Sequence, residues 1–246
     1  MDKFDKFEKL DRKVEETLHE VETMDRRKFY KNSFVYAAVW ALLLNLLIET
    51  LGRFPTAGIF GGLTFMVHSP LVFLYNALIL YATLVLASLS KRRVFFFTII
   101  SIFWLGIGII NGVILTQRMT PFTVKDLSNL NDGLTIVTNY LSKYEIIGAI
   151  AAGLIAVGLL VLLFIKGPQK RDGVKRKRNL VAVLLVIAFT FLSSSFVIRA
   201  GIVQTFFGNL ASAYRDYGVV YCFVNTWLNT GISKPDGYSK EEILSI

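Results

Sequence analysis

Five long apolar runs alternate with short polar connections along the chain: Phe34–Leu51, Pro70–Leu89, Val94–Thr116, Ile146–Ile165 and Leu180–Ile198. Each holds about 18–23 residues, close to the roughly 20 that carry a helix across ~30 Å of hydrocarbon. Backbone polar groups find no water there, so only helices or closed barrels span it, and runs this continuous are not barrel strands. The pattern predicts an all-α integral membrane protein with a five-helix transmembrane bundle over 34–198. Before the first run, Phe4, Phe7, Leu10, Val14, Leu18 and Val21 recur every three or four positions. Residues 1–33 therefore read as a charged amphipathic helix. It fits an interfacial helix, a short coiled-coil contact or a solvated lead-in equally. No apolar stretch precedes the first run, so no cleavable signal peptide is expected.

Two connections on one side are richer than simple loops. Residues 55–69 are apolar but interrupted by Gly58, Gly61 and Gly62. They read either as a re-entrant or interfacial segment or as an extension of the second span. In the loop 117–145, Thr123 and Asp126 have capping-box spacing for a helix starting at Val124. Leu127, Leu130, Leu134 and Val137 continue it as an amphipathic pattern. After the last run, 199–246 begins with the aromatics Phe206, Phe207, Tyr214, Tyr217, Tyr221, Phe223 and Trp227, then turns linker-like from Thr230. Aromatic rings with polar edges suit a headgroup-level helix or a docking surface, for which Tyr214, Arg215, Tyr217 and Trp227 are the candidates.

Charge orients this bundle. Residues 1–33 carry nine Lys/Arg; Lys91, Arg92 and Arg93 follow the second run, and a basic series from Lys166 to Arg178 follows the fourth. The opposite connections hold only Arg53, Arg118, Lys125 and Lys143. The positive-inside rule places the N-terminus in the cytoplasm and the C-terminus outside. The net charge of +9 thus serves orientation and contact with anionic lipid, and no nucleic-acid partner is expected. Composition agrees, with 54% hydrophobic residues and a mean hydropathy of +0.53. The one cysteine, Cys222, excludes an internal disulfide.

Catalytic patterns are missing: there is no HExxH, glycine-rich phosphate loop or nucleophile elbow. One intramembrane group carries chemistry. Asn45, Glu49 and Arg53 share a helical face at i, i+4 spacing, so Arg53 can pair with a carboxylate in the bilayer. Glu49, Arg53, His68 and Arg118 fall on the same side, as candidate contacts for an anionic lipid headgroup or simply as groups meeting interfacial water. Asn76 and Asn111 suit interhelical hydrogen bonds. Gly108 with Gly112, and Gly148 with Ala152 and Ala156, suit close helix packing within the bundle or in a homo-oligomer.

Residues 207–243, FGNLASAYRDYGVVYCFVNTWLNTGISKPDGYSKEEI, with 114–127, ILTQRMTPFTVKDL, resemble the membrane half of the lipoteichoic acid synthase and phosphoglycerol transferase family of the alkaline-phosphatase/sulfatase superfamily. The matching stretches are Asn209 to Tyr238 and Thr120 to Leu127. The resemblance implies a bacterial plasma membrane and transfer of glycerol phosphate from phosphatidylglycerol at its outer face. In the family that chemistry needs manganese and a nucleophilic threonine in an extracellular domain. Neither has a counterpart here, so no catalytic residue or cofactor is expected in this chain. The expected role is a membrane anchor that holds such a domain, attached or separate, at the outer leaflet. A stand-alone scaffold recruiting an enzyme through residues 206–227 is the alternative. A transporter fits poorly, for lack of a lined polar path and an inverted repeat.

Overall fold

The computed structural model describes residues 33–128, 143–167 and 176–229, and every element in them is a helix. The amphipathic pattern before Ser33, the stretch from Leu130 to Val137 and the tail beyond Asn229 lie outside the described residues. So does the packing of Gly148, Ala152 and Ala156.

Helix α1 (Ser33–Ala57) is 25 residues long, about 37 Å at 1.5 Å per residue. Pro55 lies near its end, and Gly58, at φ +66, reverses the chain. A short 3₁₀ turn, Gly58–Phe60, leads into α2 (Gly61–His68), which runs back along α1. Gly62 makes this close: a Cβ there would sit 2.4 Å from Thr50 Oγ1 and 2.6 Å from the Leu46 carbonyl. Ser69 then breaks the helix, and Pro70 opens α3 (Pro70–Leu84), continued by 3₁₀ turns over Val85–Leu89. Residues 55–57 thus end α1, and 58–68 form a 3₁₀ turn and a separate short helix, divided from the second span at Ser69. At eight residues, α2 is too short to cross a bilayer.

Helix α4 (Arg93–Gln117) lies parallel to α1. The contacts Arg93 to Ser33, Trp40 to Ser101 and Asn111 to Gly52 keep a nearly constant offset along both. Gly108 and Gly112 allow the approach: a Cβ on Gly112 would stand 2.4 Å from the Leu51 carbonyl, the one Pro55 leaves without its helical donor. The glycine pair therefore packs the bundle internally. After α4, Arg118 and the short α5 (Val124–Ser128) turn back toward the bundle. Helix α6 (Lys143–Lys166) brings Phe164 against Phe95 at the start of α4. Helix α7 (Arg176–Arg199) runs antiparallel to α3, with Tyr75 bonded to Ser194 at one end and Asn179 to the Ser88 carbonyl at the other.

Four helical segments are long and apolar enough to cross a membrane: Ser33–His68, Pro70–Leu89, Arg93–Gln117 and Lys177–Arg199. The remaining predicted run lies within α6, whose described apolar stretch, Val157–Lys166, is shorter than a crossing. By length and composition the described residues thus give four candidate spans. Large side chains face outward along them, as hydrocarbon solvent permits: Phe191, Leu192 and Phe196 are each about two-thirds exposed or more. Two short helices, α8 (Leu210–Tyr217) and α9 (Val219–Leu228), follow α7 and close over the bundle at the end away from Lys91–Arg93.

Candidate functional site

Glu49, Arg53 and Asn76 converge where α8 meets α9. Glu49 is completely buried one helical turn before Arg53. Its Oε2 accepts from Arg53 Nε at 2.7 Å, and its Oε1 accepts from the Val219 backbone amide at 2.7 Å. Arg53 also donates through Nη1 to the Arg215 carbonyl, at 2.8 Å, and through Nη2 to the Tyr214 carbonyl, at 3.0 Å. The pair therefore addresses two helix ends with the right signs. The cation meets the last carbonyls of α8, and the anion meets the first amide of α9. The Phe65 ring, carried by α2, lies 4.0 Å from the guanidinium and covers it.

Asn76 of α3 completes the clasp. Its Oδ1 accepts from the Tyr221 amide at 2.7 Å, and its Nδ2 donates to the Tyr217 carbonyl at 2.9 Å and to the Val72 carbonyl at 2.8 Å. Between these anchors sits Gly218, at φ 86 and ψ 160, a region that only glycine readily occupies. A Cβ there would stand 2.8 Å from Glu49 Oε1 and 2.9 Å from Asn76 Nδ2.

Asn111 works in the same way on the preceding loop. It donates to the Gly52 carbonyl at 3.1 Å and accepts from the Phe122 amide at 2.9 Å. The Tyr214 hydroxyl donates to the Phe122 carbonyl at 2.6 Å, joining that loop to α8. Phe122 stacks on Phe223, and Phe207, Tyr217 and Tyr221 form an aromatic cluster beside it.

Of the four headgroup candidates, the structure joins Glu49 and Arg53. No described hydrogen bond or ion pair links His68 or Arg118 to them. His68 is exposed, with Nδ1 beside the Thr64 carbonyl of its own helix. Arg118 organises the loop after α4, pairing with Asp126 at 2.7 Å and donating to the Thr120 and Pro121 carbonyls. Asp126 also accepts from the Thr123 amide at 2.7 Å, closing one half of the predicted capping box. Burial pushes the Asp126 carboxyl up, but the bonds from Arg118 and Thr123 together bring it below the usual carboxylate range.

The four docking candidates also separate. Tyr214 is buried and Tyr217 partly so, whereas Arg215 and Trp227 are exposed. A cavity of about 270 Å³ lies beside the clasp, lined by Arg53, Thr56, Asn111, Asn209, Ser212 and Arg215 among others. Arg53 enters it already paired with Glu49, and the exposed Arg215 is paired with its neighbour Asp216 at 2.9 Å.

Gly218 carries little signal in the sequence. Its one signal is a lone glycine between Tyr217 and the apolar Val219–Val220. The chemistry of the region is that of structural holding. Burial pushes the Cys222 thiol well above its ordinary value and raises the Tyr214 phenol, so neither is an activated nucleophile. Among the described residues no three His, Cys, Asp or Glu side chains group as a metal site.

The fold and the clasp together define a helical multi-pass membrane protein whose segment after the last span is locked onto the ends of its helices. No family model, no curated protein and no solved structure matches the chain.

Proposed function

We propose that this chain is the membrane anchor of a lipoteichoic acid synthase-like phosphoglycerol transferase. It would have five spans, counting α6, with its N-terminus in the bacterial cytoplasm and residues 199–246 outside. The observation that carries the reading is the Glu49–Arg53–Asn76 clasp. An anchor that positions a catalytic domain must hand the chain over at a fixed place, and the clasp fixes Tyr214 to Tyr221 to α1 and α3 through five hydrogen bonds between side chains and backbone groups, those to the Val219 and Tyr221 amides being buried. Tethering at the outer leaflet raises the effective concentration of enzyme at its lipid, phosphatidylglycerol. The same bonds argue against a transporter, because Asn45, Glu49, Asn76 and Asn111 all hold backbone groups rather than line a path. The manganese such transferases use finds no ligand set among the described residues, and no step is assigned to this chain.

The test pairs an immunoblot of native membranes, probed against residues 1–31, with turnover of fluorescent phosphatidylglycerol. The expected product runs well above 27.7 kDa, and Arg53→Ala in the chromosomal copy lowers turnover. A 27.7 kDa product whose deletion leaves turnover unchanged overturns the proposal. A 27.7 kDa product whose deletion abolishes turnover supports the separate scaffold instead.

A further inference from the structure

At the opposite end of the bundle, Ser90, Lys91 and Arg92 connect the 3₁₀ turns Val85–Leu89 to α4. Arg92 is the N-cap of α4 and provides no side-chain cap to it. Its guanidinium instead lies 4.3 Å over the Phe164 ring of α6. Phe164 packs edge-on against Phe95, at 4.9 Å, so the ring holding the guanidinium is itself held. Nη1 of Arg92 is buried and has no hydrogen-bond partner. A shielded guanidinium nitrogen without an acceptor is costly, and an anionic oxygen is what satisfies it.

The protein's described residues offer no such anion at this end. Between Thr50 and Lys125 the sequence holds no acidic residue, and the adjoining ends of α6 and α7 bring Lys166, Lys177 and Arg178. Arg92 opens onto a cavity of about 580 Å³ lined also by Leu86, Leu89, Lys91, Phe96 and Phe164. One part of it is cationic and the rest is apolar. Phe96 and Phe164 are also exposed on the surface of the bundle, where acyl chains run.

We infer that this corner is a binding site for an anionic phospholipid, with its phosphate between Lys91 and Arg92 and an acyl chain along Phe96 and Phe164. Arginine's planar fork suits a phosphate, and the stacked ring fixes its plane. The apolar lining selects a lipid over free phosphate, which would use only the cationic end. The site lies at the other end of the bundle from the α8–α9 clasp and does not depend on the proposed anchor role.

The experiment uses the full chain in phosphatidylcholine vesicles containing a phosphatidylglycerol with a photoreactive acyl chain. Adducts are mapped by peptide mass spectrometry, with phosphatidylcholine bearing the same chain as the control. Adducts on peptides holding Phe96 and Phe164 are expected in excess for the anionic probe. Arg92→Gln should remove that excess, a change on the order of tenfold for one charge-assisted contact. Arg92→Lys should restore it in part. Lys91→Gln, at an exposed position, should lower it without disturbing the fold, so the test survives an Arg92 variant that fails to fold. Equal labelling by both probes means surrounding lipid only and overturns the site. An excess that inorganic phosphate abolishes makes free phosphate the ligand and overturns the lipid. An excess that persists in a folded Arg92→Gln protein overturns the role of Arg92.

Discussion

Gly218 is the residue on which the clasp turns, because two separate requirements fall on it. Its φ of 86 with ψ of 160 lies where side chains cost of order 1–3 kcal/mol in backbone strain alone. Its missing Cβ also leaves the space that Glu49 Oε1 and Asn76 occupy. Gly201 separates the two effects. It has a positive φ of 70, but nothing lies within 4 Å of where its Cβ would go. Gly201→Ala should therefore cost only the backbone term, about 1–2 kcal/mol. Gly218→Ala should cost more, about 3 kcal/mol or above, since displaced partners leave a buried carboxylate and a buried amide short of hydrogen bonds. Thermal unfolding in detergent, followed by tryptophan fluorescence, measures both. Equal losses for the two variants would mean that the contacts around Gly218 relax freely and that the clasp is soft.

At the level of the helices, glycine again marks the tight contacts, and sequence alone does not say which glycines matter. Gly62 lets α2 lie on α1, whereas Gly106 faces open space in the middle of α4. Gly62→Val should push α2 away and destabilise by about 1–3 kcal/mol, as overpacking does. Gly106→Ala should be neutral or stabilise by up to about 1 kcal/mol, since it only stiffens the unfolded chain and favours helix. The same melting assay checks both, and a destabilising Gly106→Ala would show a contact on that face of α4. The contrast explains what was legible beforehand. Spans follow from hydropathy over a window, so Pro70–Leu89 and the run in α4 could be read directly. The Glu49–Arg53 pair could be read too, because i, i+4 spacing is local. Its other partners are backbone atoms of Tyr214, Arg215 and Val219, between 161 and 170 positions away. A backbone amide or carbonyl carries no signature in the sequence, so the pair reads there as a polar site facing a ligand. The Tyr214 ring reads in the sequence as part of an interface, but its hydroxyl donates to the Phe122 carbonyl, and that makes it part of the interior.

For the whole molecule, the charge asymmetry and the clasp make one joint statement about orientation. Lys91, Arg92 and Arg93 lie at one end of the bundle, and the Arg118 loop lies at the other with α8 and α9. Because α1 and α4 are parallel, both ends of the assembly are fixed once one loop is located. The positive-inside rule then predicts that Lys91 faces the cytoplasm and Met119 the exterior. Single-cysteine labelling tests this cleanly in the native background. Cys222 is buried and its thiol is raised well above the usual value, so it should stay silent to maleimide. Met119, 90% exposed, is a suitable outer reporter, and Lys91 is an exposed inner one. Met119→Cys should label in intact cells with a membrane-impermeant maleimide, and Lys91→Cys only after the membrane is opened. The reverse pattern would put α8 and α9 in the cytoplasm. A catalytic domain following Asn229 would then have no access to an outer-leaflet lipid, and the anchor proposal would fail with the orientation. Labelling of both positions from one side would contradict a membrane-spanning α4, because Lys91 and Met119 lie at opposite ends of that helix of 25 residues.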